Sequence, residues 1–216
     1  YGLKLRFVDV ELDTLKIDTT QLQAALTPKT KAIVAVSILG NPAALDIMRA
    51  FADAHGLTML EDNCESLDAE LNGQKTGTFG DIGTFSFFFS HHISTGEGGM
   101  LITDDAELDA LARAVRAHGW IRDIPDGLDL FEEGEDSFAE AYRFVIPGYN
   151  LRPQEFNGAA GLEQLKKLPA MTEGRRANLA LFQDAFGDDE RFMIQRENGK
   201  SSSFCFPMIV KPDCGL

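Results

Sequence analysis

Two adjacent histidines, His91 and His92, follow an apolar, strand-like segment and precede a glycine-rich turn in the run FSFFFSHHISTGEGG, residues 85–99. An imidazole titrates near neutral pH, so it can take a proton from a carbon atom and return one to a departing hydroxyl group. A second interpretation is that both histidines are exposed polar loop residues. A lone histidine pair is a poor metal site without carboxylate partners, so no metal site is predicted.

An acidic cluster, Glu61, Asp62 and Asn63, ends the strand-like segment LTMLED about thirty residues upstream. In a parallel sheet, ligands gather at the carboxyl ends of the strands, which raises the functional interest of these side chains. An aspartate after a strand also commonly caps a turn, and that structural interpretation of Asp62 stays open. Ser86, five residues before His91, is a further candidate, although a serine in a buried strand is usually satisfied by backbone groups.

The elements around these residues predict an α/β fold with a mostly parallel sheet flanked by helices. Residues 31–39 form an apolar run suited to a strand buried on both faces, and Ala44–His55 has helical spacing that Gly56 ends. Strand, helix and strand in about thirty residues indicate a βαβ unit. Other predicted elements are strands at 4–10, 84–89, 100–103 and 203–210, helices at Ile17–Leu26, Ala106–Ala117, Gln154–Leu168 and Glu173–Phe186, and an acidic, solvated excursion at 122–140.

Charge and composition exclude several classes of partner. The formal net charge of −14 argues against nonspecific binding to nucleic acid or to an anionic membrane. No apolar run approaches the roughly 20 residues that span a bilayer, and the first residues lack signal-peptide features, so a cytoplasmic location is expected. The three cysteines are widely spaced and predict neither a disulfide framework nor a zinc site.

Three segments carry a resemblance to a known family. The segments EDN, FSF-to-HH-to-GEGG and GYNLR (148–152) are similar to those of the DegT/DnrJ/EryC1/StrS sugar aminotransferases, which use pyridoxal phosphate. The resemblance spans roughly residues 5 to 185 and implies a type I aminotransferase fold. Because the chain opens on KLRFVDV and ends just after SFCFPMIV, we expect a fragment that lacks the family's N-terminal part.

The resemblance implies a role for each matching residue. Asp62 would contact the cofactor ring nitrogen, where a carboxylate favours the protonated electron sink. Glu65 would lie near the ring hydroxyl, and Ser86 would bind the cofactor phosphate. Asn150 and Arg152 would reach across a homodimer interface toward the neighbouring site, Asn150 to the cofactor and Arg152 to the substrate or an acidic cosubstrate.

His91 occupies the position at which the aminotransferases carry the lysine that forms an imine with the cofactor. HHISTGEGG resembles segments of the 3-dehydratases that act on 4-keto-6-deoxy nucleotide sugars, in which this histidine is an acid/base. The resemblance implies that pyridoxamine phosphate, recharged by glutamate, helps to remove the C3 hydroxyl of a nucleotide-linked 4-keto sugar, giving a 3-deoxy sugar. His92 is assigned to substrate binding.

The same residues are compatible with other functions. A plain nucleotide-sugar aminotransferase would retain nitrogen in its product, and a non-catalytic relative would bind cofactor or sugar without turnover. A metal hydrolase is disfavoured because the chain has no HExxH or HxH grouping. One related dehydratase carries an iron–sulfur cluster on four cysteines; here only Cys64 matches, so no such cluster is expected.

The predicted domain organisation has two parts. Residues 1–168 would form the large cofactor-binding domain, incomplete at its start. Residues 169–216 would begin a small C-terminal α/β domain.

Overall fold

The computed structural model of the 216-residue chain describes residues 2–122, 124, 131, 134, 136–212 and 214–215. Much of the predicted acidic excursion at 122–140 lies outside the described residues. The strands are β1 (Ala32–Val36), β2 (Thr58–Asp62), β3 (Glu70–Leu71), β4 (Gln74–Lys75), β5 (Ile82–Ser86), β6 (Gly99–Ile102), β7 (Phe192–Ile194) and β8 (Met208–Val210). The helices are α1 (Leu22–Ala25), α2 (Leu45–His55), α3 (Ala106–Arg116), α4 (Ser137–Glu140), α5 (Glu155–Leu165) and α6 (Leu168–Phe186).

The main sheet has the strand order β1-β2-β5-β6. The first two pairings are parallel, and β6 returns antiparallel to β5. The antiparallel return is possible because the histidine and glycine loop connects the two strands directly, without a crossover helix. That loop therefore leaves the sheet at the carboxyl end of β5, the edge at which β1 and β2 also end.

One face of the sheet is closed by α2. Leu45, Met48 and Ala52 lie at helical spacing and are fully buried, and they belong to one apolar cluster with Ala35 of β1 and Met59 of β2. The helix ends at Gly56, whose φ of 62° is the left-handed conformation that glycine adopts without strain. The predicted βαβ unit is thus confirmed, but β1 is not buried on both faces as predicted: it is the edge strand, and Val34 and Val36 on its second face are exposed.

Glu61 completes the buried face beneath the carboxyl end of β2. Its carboxylate is 1% exposed and accepts hydrogen bonds from the backbone N–H groups of Gly77 (2.6 Å), Phe79 (2.7 Å) and Gly80 (2.6 Å). A buried carboxylate is tolerated because these three donors replace its water shell. Glu61 therefore anchors the turn that leads into β5.

The C-terminal part folds back onto the turn after β1 and onto β3. Helix α6 is followed by the β7–β8 hairpin, and the chain between these two strands packs against the larger part. Its contacts include the bridge between Glu70 and Lys200 and the hydrogen bonds of Asn41 with Arg196 and Asn198. The division at 168 falls where α6 begins, and the two-domain organisation stays a prediction.

Some element predictions were wrong at the ends of the chain. The strand at 4–10 is not formed, apart from an isolated bridge at Val10, because no neighbouring strand in the described residues pairs with it; Leu5 and Phe7 are strongly exposed. In place of the helix predicted at 17–26, the structure has a 3-10 turn at Thr19–Gln21, which Asp18 caps, followed by the short helix α1. Of the last predicted strand, at 203–210, only residues 208–210 pair with another strand. The pairing begins after Pro207, because proline has no backbone N–H group to donate.

Among the described residues, no helix combines the length and the apolar character needed to cross a bilayer.

The substitution Glu61→Gln tests the anchor. Glutamine keeps the shape but turns one acceptor into a donor that faces backbone N–H groups, so we expect the free energy of unfolding to fall by about 2 kcal/mol. Urea unfolding of the complete polypeptide measures this change. Glu163→Gln, at an exposed position of α5, is the matched control; equal unfolding energies for both variants would contradict the anchoring role.

Candidate functional site

Asp62 and Ser86 lie on the same face of the sheet, opposite to Glu61. Side chains alternate along a strand, and Asp62 is the register partner of Thr84, which lies two residues before Ser86 on β5. Both side chains are half-buried. The sheet thus brings the predicted ring-nitrogen and phosphate ligands to one face and one edge.

Each of these side chains also makes a local hydrogen bond. Asp62 Oδ1 accepts from the backbone N–H of Cys64 at 3.1 Å, and Ser86 Oγ accepts from that of Phe88 at 3.2 Å. As an acceptor, the Ser86 oxygen still has its hydroxyl hydrogen to donate. Burial and the neighbouring Asp62 carboxylate raise the pKa of the Cys64 thiol to about 12, which keeps Cys64 protonated.

Glu65 is engaged with the turn that follows β1. Its Oε2 accepts from the backbone N–H of Leu39 at 2.7 Å, and Leu39 has a left-handed φ of 61°. This contact offsets backbone strain at a non-glycine residue. The predicted contact of Glu65 with a ring hydroxyl remains a prediction.

A buried lysine lies in the electrostatic surroundings of Glu65, and the sequence patterns did not identify it. Lys16 is 1% exposed, and its Nζ donates to the carbonyl oxygen of Thr14 at 3.1 Å. Burial lowers the pKa of Lys16 to about 8, while Glu197 and Glu65 act in the opposite direction. This amine supplies local positive charge in an acidic chain.

His91 is half-buried and contacts two aromatic rings. Its imidazole meets the ring of Phe88 at a centroid distance of 5.8 Å and the ring of Phe204 at 5.4 Å, each at an interplanar angle of 74°. Edge-to-face packing of this kind fixes the plane of a ring. The buried Nδ1 atom has no hydrogen-bond partner among the described residues. Buried polar atoms usually have a partner, and the Nδ1 atoms of His91 and His92 both lack one, so each can still accept a hydrogen bond from or donate one to a bound group.

His92 has a different environment from its neighbour. It is 1% exposed, and its Nε2 donates to the carbonyl oxygen of Ser202 at 3.1 Å, because a carbonyl can only accept. Burial lowers the pKa of His92 to about 4, so the ring is neutral at neutral pH. These contacts fit a structural role better than substrate binding, which stays a prediction.

Asn150 and Arg152 lie in the connection from α4 to α5, and both are exposed. The connection bridges to the end of α3 through Ala117 and Asn150. The following helix then touches the glycine turn, since Asn157 Nδ2 donates to the carbonyl oxygen of Thr95 at 2.8 Å. The structure therefore brings α5 to the loop that carries His91, and it leaves Asn150 and Arg152 at the surface.

The segment Ser201–Phe204 is the part of this region that sequence reasoning missed. Its three serines are all buried, and their carbonyl oxygens accept hydrogen bonds from His92 and from Arg175 and Arg176 of α6. A run of serines has no periodicity that indicates burial. The adjacent arginines of the predicted helix, Arg175 and Arg176, are the one sequence signal for a buried polar segment, since such side chains need acceptors. Across the described residues, no cluster of three or more metal-ligating side chains is found.

The chain belongs to the DegT/DnrJ/EryC1/StrS aminotransferase family, whose model matches residues 1–214. It is 50% identical over 212 residues to GDP-4-keto-6-deoxy-D-mannose 3-dehydratase of Yersinia pseudotuberculosis, covering 98% of this chain and 54% of that protein.

Solved structures give the same relationship. The Escherichia coli GDP-4-keto-6-deoxy-D-mannose-3-dehydratase with bound hydrated pyridoxal phosphate matches with a TM-score of 0.94 and 46% identity, over 100% of this chain and 56% of that one. A second structure of a GDP-4-keto-6-deoxymannose-3-dehydratase, with a trapped pyridoxal phosphate–glutamate geminal diamine, matches equally well, with a TM-score of 0.94, 46% identity and the same coverage. The fold is that of type I aminotransferases, as predicted, and the chain spans about half the length of these relatives.

The buried, neutral state of His92 predicts a specific pH dependence of stability. Its folded pKa of about 4 lies below the ordinary value of 6.5. The unfolded chain therefore binds an extra proton between these values, and stability is lost as the pH falls from about 6.5 toward 4. The expected contribution to the free energy of unfolding is on the order of 2 kcal/mol.

Urea unfolding of the complete polypeptide between pH 7.5 and 4.5 measures this contribution. His92→Gln, which keeps a donor but does not titrate, should show a shallower loss of stability than the parent protein. His55→Gln, at an exposed helix end, is the control and should follow the parent curve. Parallel curves for His92→Gln and the parent protein would show that His92 is not held neutral by folding.

Proposed function

We propose that the protein is a pyridoxal phosphate-dependent 3-dehydratase of a nucleotide-linked 4-keto-6-deoxy sugar, with His91 as its acid/base. The observation that carries this proposal is an imidazole, rather than an amine, in the loop after β5, beside the edge where Asp62 and Ser86 share a face. GDP-4-keto-6-deoxy-D-mannose is the first substrate to test, since relatives of 46–50% identity are named for it.

The residues present fit the cofactor. Asp62 offers a carboxylate at a strand end, Ser86 has a hydroxyl hydrogen to donate to a phosphate, and His91 has a buried Nδ1 without a protein partner. When bound, pyridoxal phosphate or its amine form supplies an electron sink that makes a neighbouring C–H bond acidic. The proposed cosubstrate that restores the amine form is glutamate.

Each side chain then has a distinct task. With the cofactor bound, Asp62 would keep its ring nitrogen protonated by charge pairing. Ser86 would orient the phosphate. His91 would take the proton from the carbon that the cofactor makes acidic and give one to the departing C3 hydroxyl, so a single imidazole would serve both steps. A lysine at this position would instead bond covalently to the cofactor.

Replacing His91 with asparagine should abolish dehydration, with turnover of the 4-keto sugar falling by about a thousandfold because the acid/base group is lost. Release of 3-deoxy sugar and of ammonia is measured with the complete polypeptide, cofactor and glutamate. Binding of the cofactor, followed by its absorbance, should persist. Retained turnover would refute the role of His91, and an amino sugar as product would favour the aminotransferase alternative.

A homodimer is proposed as the working unit, in which Asn150 and Arg152 reach the partner's site. The exposure of both side chains, on the connection that leads into α5, supports this arrangement. Exposed apolar residues on the same stretch, Leu151, Phe156 and Leu162, offer a contact surface.

Mixing two inactive variants tests whether sites are shared. If Arg152 serves the neighbouring subunit, randomly reassorted His91→Asn and Arg152→Ala dimers should regain about one quarter of parental activity, because half of the dimers hold one intact site. The control is the mixture of His91→Asn with Arg122→Ala, which should show about one half of parental activity, because every subunit that keeps His91 then has an intact site. Failure of the Arg152→Ala mixture to recover, with reassortment verified by mass spectrometry, would place Arg152 in its own subunit's site or outside any site.

A further inference from the structure

We propose that Phe204 is a positioning residue that fixes the plane of the His91 imidazole, and that the segment Ser202–Phe204 is the platform that holds Phe204. The inference rests on the proposed function for its catalytic consequence. Its structural part, the contact between the two rings, stands on geometry alone.

The ring contact is direct. The Phe204 ring lies 5.4 Å from that of His91 and 5.7 Å from that of His92, so one aromatic side chain touches both histidines. Phe88 is the second ring in contact with His91, at a centroid distance of 5.8 Å, and it comes from the same loop as His91. Phe204 is therefore the only one of these two rings that a distant part of the chain supplies.

The platform is attached from several sides by its main chain. Ser202 N–H donates to the carbonyl oxygen of Gly40 at 2.9 Å, and Phe204 N–H donates to that of Leu39 at 3.1 Å. The imidazole of His92 and the guanidinium of Arg175 bind its carbonyl groups. Main-chain contacts of this kind leave the segment little freedom to shift.

Gly40 is required for the close approach. Its φ is 87°, and a Cβ atom there would lie 2.6 Å from the backbone nitrogens of Ser203 and Phe204. The turn that carries Gly40 is itself held by Glu65 through Leu39. A continuous set of contacts thus runs from Glu65 through this turn to Phe204 and on to His91.

The catalytic consequence follows from orientation. An acid/base must present its lone pair along the bond that it breaks, and a small misplacement costs a large factor in rate. Phe204 contacts the imidazole but has no group that transfers a proton. It would therefore affect the reaction only by orienting His91.

The experiment begins with the parental protein. In the complete polypeptide without cofactor, the His91 ring protons, assigned by comparison with His91→Asn, should show nuclear Overhauser contacts to the Phe204 ring. Phe204→Leu should remove the Phe204 contribution to the ring-current shift of these protons and leave only that of Phe88, whereas Phe204→Tyr should retain both. Phe206→Leu is the matched control, because Phe206 lies two residues on, is 42% exposed and stacks on Phe182 instead.

Activity supplies the second measurement. In Phe204→Leu, kcat should fall by about ten- to a hundredfold while KM changes little, since the loss concerns orientation of the acid/base. Phe204→Tyr and Phe206→Leu should stay near the parental kcat. Absence of the ring contacts in the parental protein, or parental kcat in Phe204→Leu, would overturn the proposal.

The two proposals fail differently. If His91→Asn retains turnover, the acid/base assignment fails, whereas the nuclear Overhauser contacts still decide the ring contact. If His91→Asn is inactive and Phe204→Leu is fully active, only the positioning role is lost.

Discussion

The hydrogen bond from the His92 imidazole to the carbonyl oxygen of Ser202 joins parts of the chain that are 110 residues apart. Both groups are nearly inaccessible to water, so neither can exchange this bond for a solvent one without opening the structure. The loop after β5 and the segment after β7 are consequently fixed relative to each other. The environment of His91 depends on that attachment, because one of its two aromatic neighbours arrives on the distant segment.

The two histidines show how neighbouring residues of one type take different tasks. Each ring has a buried Nδ1 atom without a partner, but His91 keeps a half-exposed ring, whereas His92 is fully buried and bonded through Nε2 to Ser202. A similar division separates Glu61 from Asp62. Alternation along β2 turns the first carboxylate to the back of the sheet, where three backbone donors hold it, and leaves the second on the candidate site face.

One cation is buried in this acidic chain. Lys16 is kept inside the protein near Glu65 and Glu197, and burial lowers its pKa to about 8. Arg152, the cation that the sequence predicted for the site, is instead exposed on the connection to α5.

The sequence by itself determined the βαβ order, the α/β class and the family, because apolar periodicity and short motifs are local properties of the chain. It also identified Asp62, Ser86 and His91 as candidates, and the register of β2 with β5 brings the first two to one face. Which carboxylate or imidazole is buried could not be predicted, since burial depends on what packs from elsewhere. The serine segment and Lys16 were missed for the same reason: their polarity predicts exposure, and only long-range hydrogen bonds permit them to be buried.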